Sequence, residues 1–306
     1  MTSLPHKILQ EQVALGVTLM VLEGALEGDS DSLFKKSHFQ PSTKEPISMP
    51  FTLGLTSDLP DGSTDSDILN QILDWALQQD HVQKPERTYL GASRLGGSCS
   101  RALQYEYTHT PRDKVYSGKT LRIFEMGHSL EKMVRVWLQK AGFEIETHQP
   151  GTGEVYGFSA AEGQLQGHVD GILRKVPEGL EARVPSLWEC KSLNAKSWKQ
   201  LVEKGVKIAK PVYAVQIVLY QAYMEESVPG LSKNPGLLTA INKDTAELYY
   251  EWVPFDAALA QKSSDRAVNL LRATEAGETL PRISRDPYSF HCQYCNWRQT
   301  CWGENL

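Results

Sequence analysis

The chain is 306 residues long, carries a net charge of −5 at neutral pH, and is 41% hydrophobic and 23% charged. That length and balance belong to a globular chain able to bury one large core or two modest ones. The acidic balance excludes a protein that coats nucleic acid non-specifically, but admits an enzyme whose metal site itself contributes the negative charge. No apolar run reaches the roughly 20 residues of a membrane span. The N-terminus shows no basic-then-apolar secretion pattern, so a cytoplasmic location is expected.

In chain order, residues 1–27 read as a helix, with Ile8, Leu15, Leu19, Leu22 and Leu26 at helical spacing. Residues 28–65 are rich in Ser, Asp, Pro, Thr and Gly without periodicity and read as a linker. A second helix is expected from about Asp67 to Gln79, with Ile68, Ile72, Trp75 and Ala76 on one side. These first 85 residues, taken as a helical extension, carry no chemistry legible in sequence. A Gly-rich turn at 91–97 then leads into a helix with Cys99 near its start. Residues 120–141 form the clearest amphipathic helix, its stripe formed by Ile123, Met126, Leu130, Val134 and Trp137. His128 lies off that stripe with Glu131 one turn on, and Gly127 would let another backbone approach closely.

The most informative stretch runs from Gly167-His-Val-Asp-Gly171 to Trp188-Glu-Cys-Lys191. Both pieces read as strands joined across a turn at Pro177, Glu178 and Gly179. Alternation along a strand points Glu189 and Lys191 one way and Cys190 the other. With Asp170 facing them, two carboxylates and an ammonium would converge, and hard oxygen ligands of this kind suit Mg²⁺ or Mn²⁺. An exposed hairpin with charged edges is the alternative.

Beyond it, lysines at 196, 199, 204, 207 and 210, with Trp198 among them, read either as a solvated helical face or as a basic track for a phosphate backbone. Pro211 opens a strongly apolar helix from Val212 to Met224, in which Gln216 and Tyr220 share a face. Buried polar groups there need partners, supplied either by a metal site and substrate or by a structural hydrogen bond. A hairpin is expected over Leu237–Ile241 and Leu248–Val253, and a helix from Asp256 to Ala276. In the tail, Cys292, Cys295 and Cys301 follow C-x2-C-x5-C spacing. A thiolate site needs four ligands; Cys99 is the first candidate for the fourth and His291 a weaker one. Spacing does not separate an iron–sulfur cluster from zinc.

Taken together, these motifs resemble the RecB-like branch of the PD-(D/E)XK nuclease superfamily, and within it the iron–sulfur members: the AddB nuclease domain, CRISPR-adaptation nucleases and phage exonucleases. The resemblance covers residues 90–306 and rests on Gly127-His128 with Glu131, Gly167-His-Val-Asp170, Glu189-Cys190-Lys191, Gln216-x-x-x-Tyr220, and one cysteine upstream with three downstream.

The resemblance implies an α/β fold, with a central mixed β-sheet flanked by helices, over 86–306, a helical N-terminal extension and an iron–sulfur-tethered tail. It implies that His128, Asp170, Glu189 and the Cys190 carbonyl bind Mg²⁺ or Mn²⁺. Lys191 would position or activate the attacking water, with Gln216 and Tyr220 arranging the site and the DNA. Cys99, Cys292, Cys295 and Cys301 would hold a [4Fe–4S] cluster, with zinc as the alternative. Arg101 joins Lys196, Lys199, Lys204 and Lys207 as candidate DNA contacts. The expected activity is a metal-dependent DNA exonuclease of recombination, repair or phage DNA processing, in a prokaryotic or phage-infected cell. No G-x-x-x-x-G-K-[ST] occurs, so unwinding would come from a helicase, recombinase or single-strand-binding partner. The alternative function is a zinc-containing nucleic-acid-binding or scaffold subunit. Oligomeric state is open.

Overall fold

The computed structural model describes residues 62–180 and 183–303. The helix expected over 1–27, and the linker expected over 28–65 up to residue 61, lie outside the described residues. No described helix is long and apolar enough to cross a membrane.

The described chain forms two compact units. The smaller comprises residues 62–85 and 116–122. Its helix α1, Asp65–Val82, starts at a capping box. The Asp67 side chain accepts from the Thr64 amide at 2.9 Å, and Thr64 Oγ1 accepts from the Asp67 amide at 3.3 Å. That bonding, the Thr64 side chain first, lowers the Asp67 carboxyl below its ordinary value. Asp74 pairs with Arg122, and Gln78 Nε2 donates to the Tyr116 carbonyl at 2.9 Å. Gly118 is required here because a Cβ would collide with the Asp74 backbone.

The larger unit, residues 86–115 and 123–303, is built on a five-stranded mixed sheet. Its strands are β2 (Glu144–Glu146), β5 (Gly171–Lys175), β6 (Ser186–Leu193), β7 (Gly236–Asn242) and β8 (Leu248–Val253), in that spatial order. Only β6 and β7 run parallel. Their connection is the helical crossover that a parallel pair demands: α4 (Ala195–Lys204), α5 (Val206–Ala209) and α6 (Pro211–Tyr223). Pro211 opens α6 where its missing N–H costs nothing. A second sheet orders β1 (Leu90–Gly91), β4 (Leu165–His168) and β3 (Gly157–Ala160).

Period-two patterning sorts the side chains of β6. Trp188 and Cys190 enter a cluster with Val134 and Leu138 of α3 (Gly118–Lys140). Leu187 and Leu193 enter the main core with Leu201 of α4 and Ile217 and Leu219 of α6. The sheet therefore lies between helical layers: the expected mixed α/β sheet flanked by helices is present. Helix α6 is buried along its length from Ala214 to Ala222 and packs on α7 (Ala257–Glu275), β6 and β3.

Three details differ from the sequence reading. The stretch 167–171 is not one strand: β4 ends at His168, β5 begins at Gly171, and the chain changes sheets at Val169 and Asp170. The stripe on α3 is displaced. Val134 and Leu138 are buried against the sheet, while Ile123, Met126 and Trp137 are 40%, 50% and 38% exposed, because the sheet contacts a narrower arc than the apolar residues cover. Finally, Gly127 faces no backbone; its nearest neighbour is the Ser192 hydroxyl.

Candidate active site and cysteine cavity

The change of sheets at Asp170 frees its side chain from any ladder position. Its Oδ2 accepts a hydrogen bond from the Cys190 backbone N–H at 2.8 Å, which fixes the carboxylate beside β6. On the α6-facing side of β6, Lys191 pairs with Glu189 Oε1. Gln216 Nε2 donates to the same oxygen at 2.6 Å. Glu189 is 1% exposed, and its second oxygen, Oε2, is buried without a hydrogen-bond partner. A carboxylate oxygen left uncompensated in the interior is costly unless a proton or cation compensates it. Burial first, and the charge of Asp170 second, push the Glu189 carboxyl up to about 8, with Lys191 opposing. Burial works against the Lys191 ammonium, yet Glu189 and Asp170 hold it above its ordinary value. The ammonium also lies over the Tyr213 ring, 5.3 Å from its centroid.

Helix α3 contributes Glu131, whose carboxyl is raised to about 7 by burial and by Asp170, against Arg135, Lys191 and Lys132. Three carboxylates therefore share one electrostatic neighbourhood with one lysine. His128 lies on the exposed side of α3. Tyr220 is buried against Gly167, where a Cβ would strike its ring, and it meets Phe158 edge to face at 5.9 Å. Burial, then the charge of Glu189, raises its hydroxyl above the ordinary tyrosine value.

Sequence reasoning missed Tyr213, and named Glu131 without giving it a role. Tyr213 sits one turn before Gln216 in α6, so the helical spacing that picked out Gln216 and Tyr220 could have found it. Of the basic residues, Lys196, Lys199, Lys204 and Lys207 are exposed along α4 and α5; Lys199 reaches Glu203 at 3.9 Å and Lys207 reaches Asp256 at 3.2 Å. Lys210 bonds the Ser197 hydroxyl at 3.2 Å. Arg101 is turned inward, donating to the Leu280 carbonyl and to Cys301 Sγ, the latter at 3.6 Å.

That contact belongs to a second site. Cys99 caps α2 (Ser100–Tyr107); Cys292 lies in α8 (Phe290–Gln293), Cys295 just beyond it, and Cys301 in α9 (Arg298–Trp302). All four are free thiols lining one cavity of about 230 Å³, together with Arg94, Arg101, Arg282, Arg298 and His291. Burial raises the Cys295 thiol against a backbone hydrogen bond from Trp297, and the nearby Cys99, Cys301 and Cys292 add to the rise. His291 bonds instead to the Ser98 hydroxyl, 3.1 Å from its Nδ1. Cys190 stands apart, buried on β6 with its thiol pushed up by burial. The tail is pinned independently: Asp113 accepts from the Gln299 and Thr300 amides at 2.6 and 3.1 Å, and Trp297 Nε1 donates to the Thr110 carbonyl at 2.8 Å. Among the described residues, no group of three or more His, Cys, Asp or Glu side chains is placed so that it could hold a metal ion.

Fold and site together define a mixed-sheet α/β chain with an acidic, lysine-bearing centre beside its central strand and a four-thiol cavity under its tail. No family model matches the chain, and no curated protein matches it. Among solved structures, it is similar to an alkaline exonuclease (LHK-Exo) from Laribacter hongkongensis, at 15% identity and a TM-score of 0.40, over 63% of this chain and 90% of that one. LHK-Exo in complex with dAMP gives 14% identity and a TM-score of 0.38, over 62% and 89%. A structure described as SSO0001 gives 18% identity and a TM-score of 0.38, over 75% and 94%. At these values the chemistry has to come from this chain's own residues.

Proposed function

We propose that the chain is a metal-dependent DNA nuclease, acting as an exonuclease, with its centre at Asp170, Glu189 and Lys191. The observation that carries this reading is Glu189: a buried carboxylate with two donors on one oxygen and none on the other, beside a second carboxylate and a retained ammonium. A structural ion pair would satisfy both oxygens; this arrangement leaves one for a cation. Asp170, Glu189 and the Cys190 carbonyl would be the ligands of a hard divalent ion; Glu131 of α3 shares their electrostatic neighbourhood, whereas His128 stands on the exposed side of that helix. Such an ion, when bound, supplies Lewis acidity toward a phosphate oxygen and lowers the pKa of water.

The chain's own groups do the rest. Lys191, held by Glu189 and Tyr213, carries a fixed positive charge suited to orienting a water and offsetting charge on the phosphoryl oxygens. Gln216 holds Glu189 in place, and Tyr220 fills the space that Gly167 leaves open. Lys196, Lys199, Lys204 and Lys207 on α4 and α5 follow directly from β6 and provide cationic contacts for a phosphate backbone.

At the second site we propose a [4Fe–4S] cluster held by Cys99, Cys292, Cys295 and Cys301. What supports a shared inorganic group is that all four thiols line one cavity; thiolate ligands suit zinc as well, and iron is favoured here only by the resemblance to iron–sulfur nucleases. Arg101, which donates to Cys301 Sγ, would offset part of the negative charge of a thiolate-bound group.

Asp170→Ala, Glu189→Ala and Lys191→Ala are each expected to lower cleavage of end-labelled DNA in Mn²⁺ by more than about a hundredfold, with far-UV circular dichroism unchanged. Cleavage by purified Asp170→Ala protein at the parent rate would sink the site assignment.

A further inference from the structure

We propose that the exposed aromatic and arginine surface of the cysteine-bearing tail is a stacking platform for single-stranded DNA; this rests on the nuclease reading for the identity of the ligand. Tyr288, Phe290 and Tyr294 are 63%, 75% and 76% exposed. One exposed ring is ordinary, but three within a seven-residue stretch form a patch that calls for a partner.

The rings are held while remaining uncovered. Phe290 meets Tyr294 edge to face at 5.6 Å and His291 at 5.8 Å. The Arg298 guanidinium lies over the Tyr288 ring, 4.9 Å from its centroid, while its Nε donates to the Pro287 carbonyl at 3.2 Å. His291 is anchored to Ser98, and the intervening thiols face the cavity. The patch is thus preorganised, which lowers the ordering cost of binding.

Charge selects the partner. Between positions 282 and 298 the sequence carries three arginines, Arg282, Arg285 and Arg298, against one acidic residue, Asp286, in a chain whose net charge is −5; of the three, Arg282 is engaged with the Trp302 ring and the Cys301 carbonyl. Asp286 is already engaged, accepting from the Tyr288 amide at 2.8 Å. Rings interleaved with guanidiniums match the alternation of base and phosphate along a single strand. A duplex, whose bases stack on one another, offers the rings nothing equivalent.

The test is fluorescence anisotropy of a labelled oligothymidylate in chelator, where no cleavage occurs, using the full-length, anaerobically purified protein. The parent is expected to bind. Phe290→Ala and Tyr288→Ala are each expected to weaken binding about tenfold, and the double variant further. Phe290→Trp should retain parent affinity, and blunt duplex binding should change much less. Metal content and melting temperature, measured on every variant, should match the parent, since both positions lie outside the thiol set. The proposal is overturned if the parent shows no single-strand affinity, if both alanine variants bind as the parent does, or if they alter self-association while leaving DNA binding intact. Failure of the nuclease reading is distinguishable, because that reading is scored by cleavage and this one by binding in chelator: an active Asp170→Ala protein together with weakened single-strand binding by Phe290→Ala would refute the catalytic site and keep the platform.

Discussion

Individual side chains at the acidic centre divide into those that would act and those that hold them. Gln216 is of the second kind, since its amide meets Glu189 Oε1 at 2.6 Å from within a buried, largely apolar helix. Outer residues that orient a ligand typically matter by about 10–100-fold in metal affinity or activity. Gln216→Leu is therefore expected to raise the Mn²⁺ concentration for half-maximal cleavage by that factor, while Gln216→Glu places a further carboxylate in the same volume and does worse. An unchanged Mn²⁺ dependence for Gln216→Leu would show that Lys191 alone positions Glu189. Gln104 is the structural counterpart away from the centre. Its amide donates to Thr274 Oγ1 and the Glu278 carbonyl at 3.1 and 2.7 Å and accepts from the Leu280 amide at 2.8 Å, locking α2 to the chain beyond α7.

Among elements, close approaches concentrate at glycines near the centre. A Cβ on Gly96 would overlap the Val212 backbone, and one on Gly167 would overlap the Tyr220 ring. Gly96→Ala is expected to cost about 1–3 kcal/mol, the range for overpacking a filled interior, read as a fall in melting temperature. Gly127→Ala is the opposite case: it lies inside α3 and meets only Ser192 Oγ, at 3.4 Å. It should raise stability by up to about 1 kcal/mol, the cost of glycine within a helix. Equal effects at both positions would show that the packing around Val212 is not as tight as described.

Much of this level was legible in the sequence. Alternation separated Glu189 and Lys191 from Cys190, and helical spacing placed Gln216 and Tyr220 on one face, because both patterns are local. What could not be read were events set by long-range packing. The change of sheets at Val169 and Asp170 depends on β4 pairing with β1 and β3 while β5 pairs with β2 and β6. The buried arc of α3 depends on how far the sheet reaches across it. The spacing that picked out Gln216 also reaches Tyr213, but its contact with the Lys191 ammonium is set by packing. The inward turn of Arg101 needed the tail to return to it.

For the whole molecule, the long-range feature is the return of the C-terminal tail. Arg101 meets Cys301 Sγ across 200 positions of sequence, in a cavity that collects all four thiols. A link across so long a loop restricts the unfolded chain strongly. On the proposed cluster, Cys292→Ser is therefore expected to yield protein without visible colour or iron and with a lower melting temperature than the parent. At about 2–4 °C per kcal/mol for a protein near this size, a fall of several degrees is expected. A variant that melts like the parent would show that Asp113 and Trp297 suffice to hold the tail, and a colourless parent with stoichiometric zinc would replace the cluster.

The central claim is that the centre on β6 hydrolyses DNA. It is tested most directly by incubating end-labelled single- and double-stranded DNA with anaerobically purified protein across a Mn²⁺ titration. Progressive release of label is expected, requiring the added cation, stopping on chelation and absent in Asp170→Ala protein. Binding of the DNA without any cleavage at saturating Mn²⁺ would contradict it, and would make the chain a nucleic-acid-binding subunit whose acidic centre is structural.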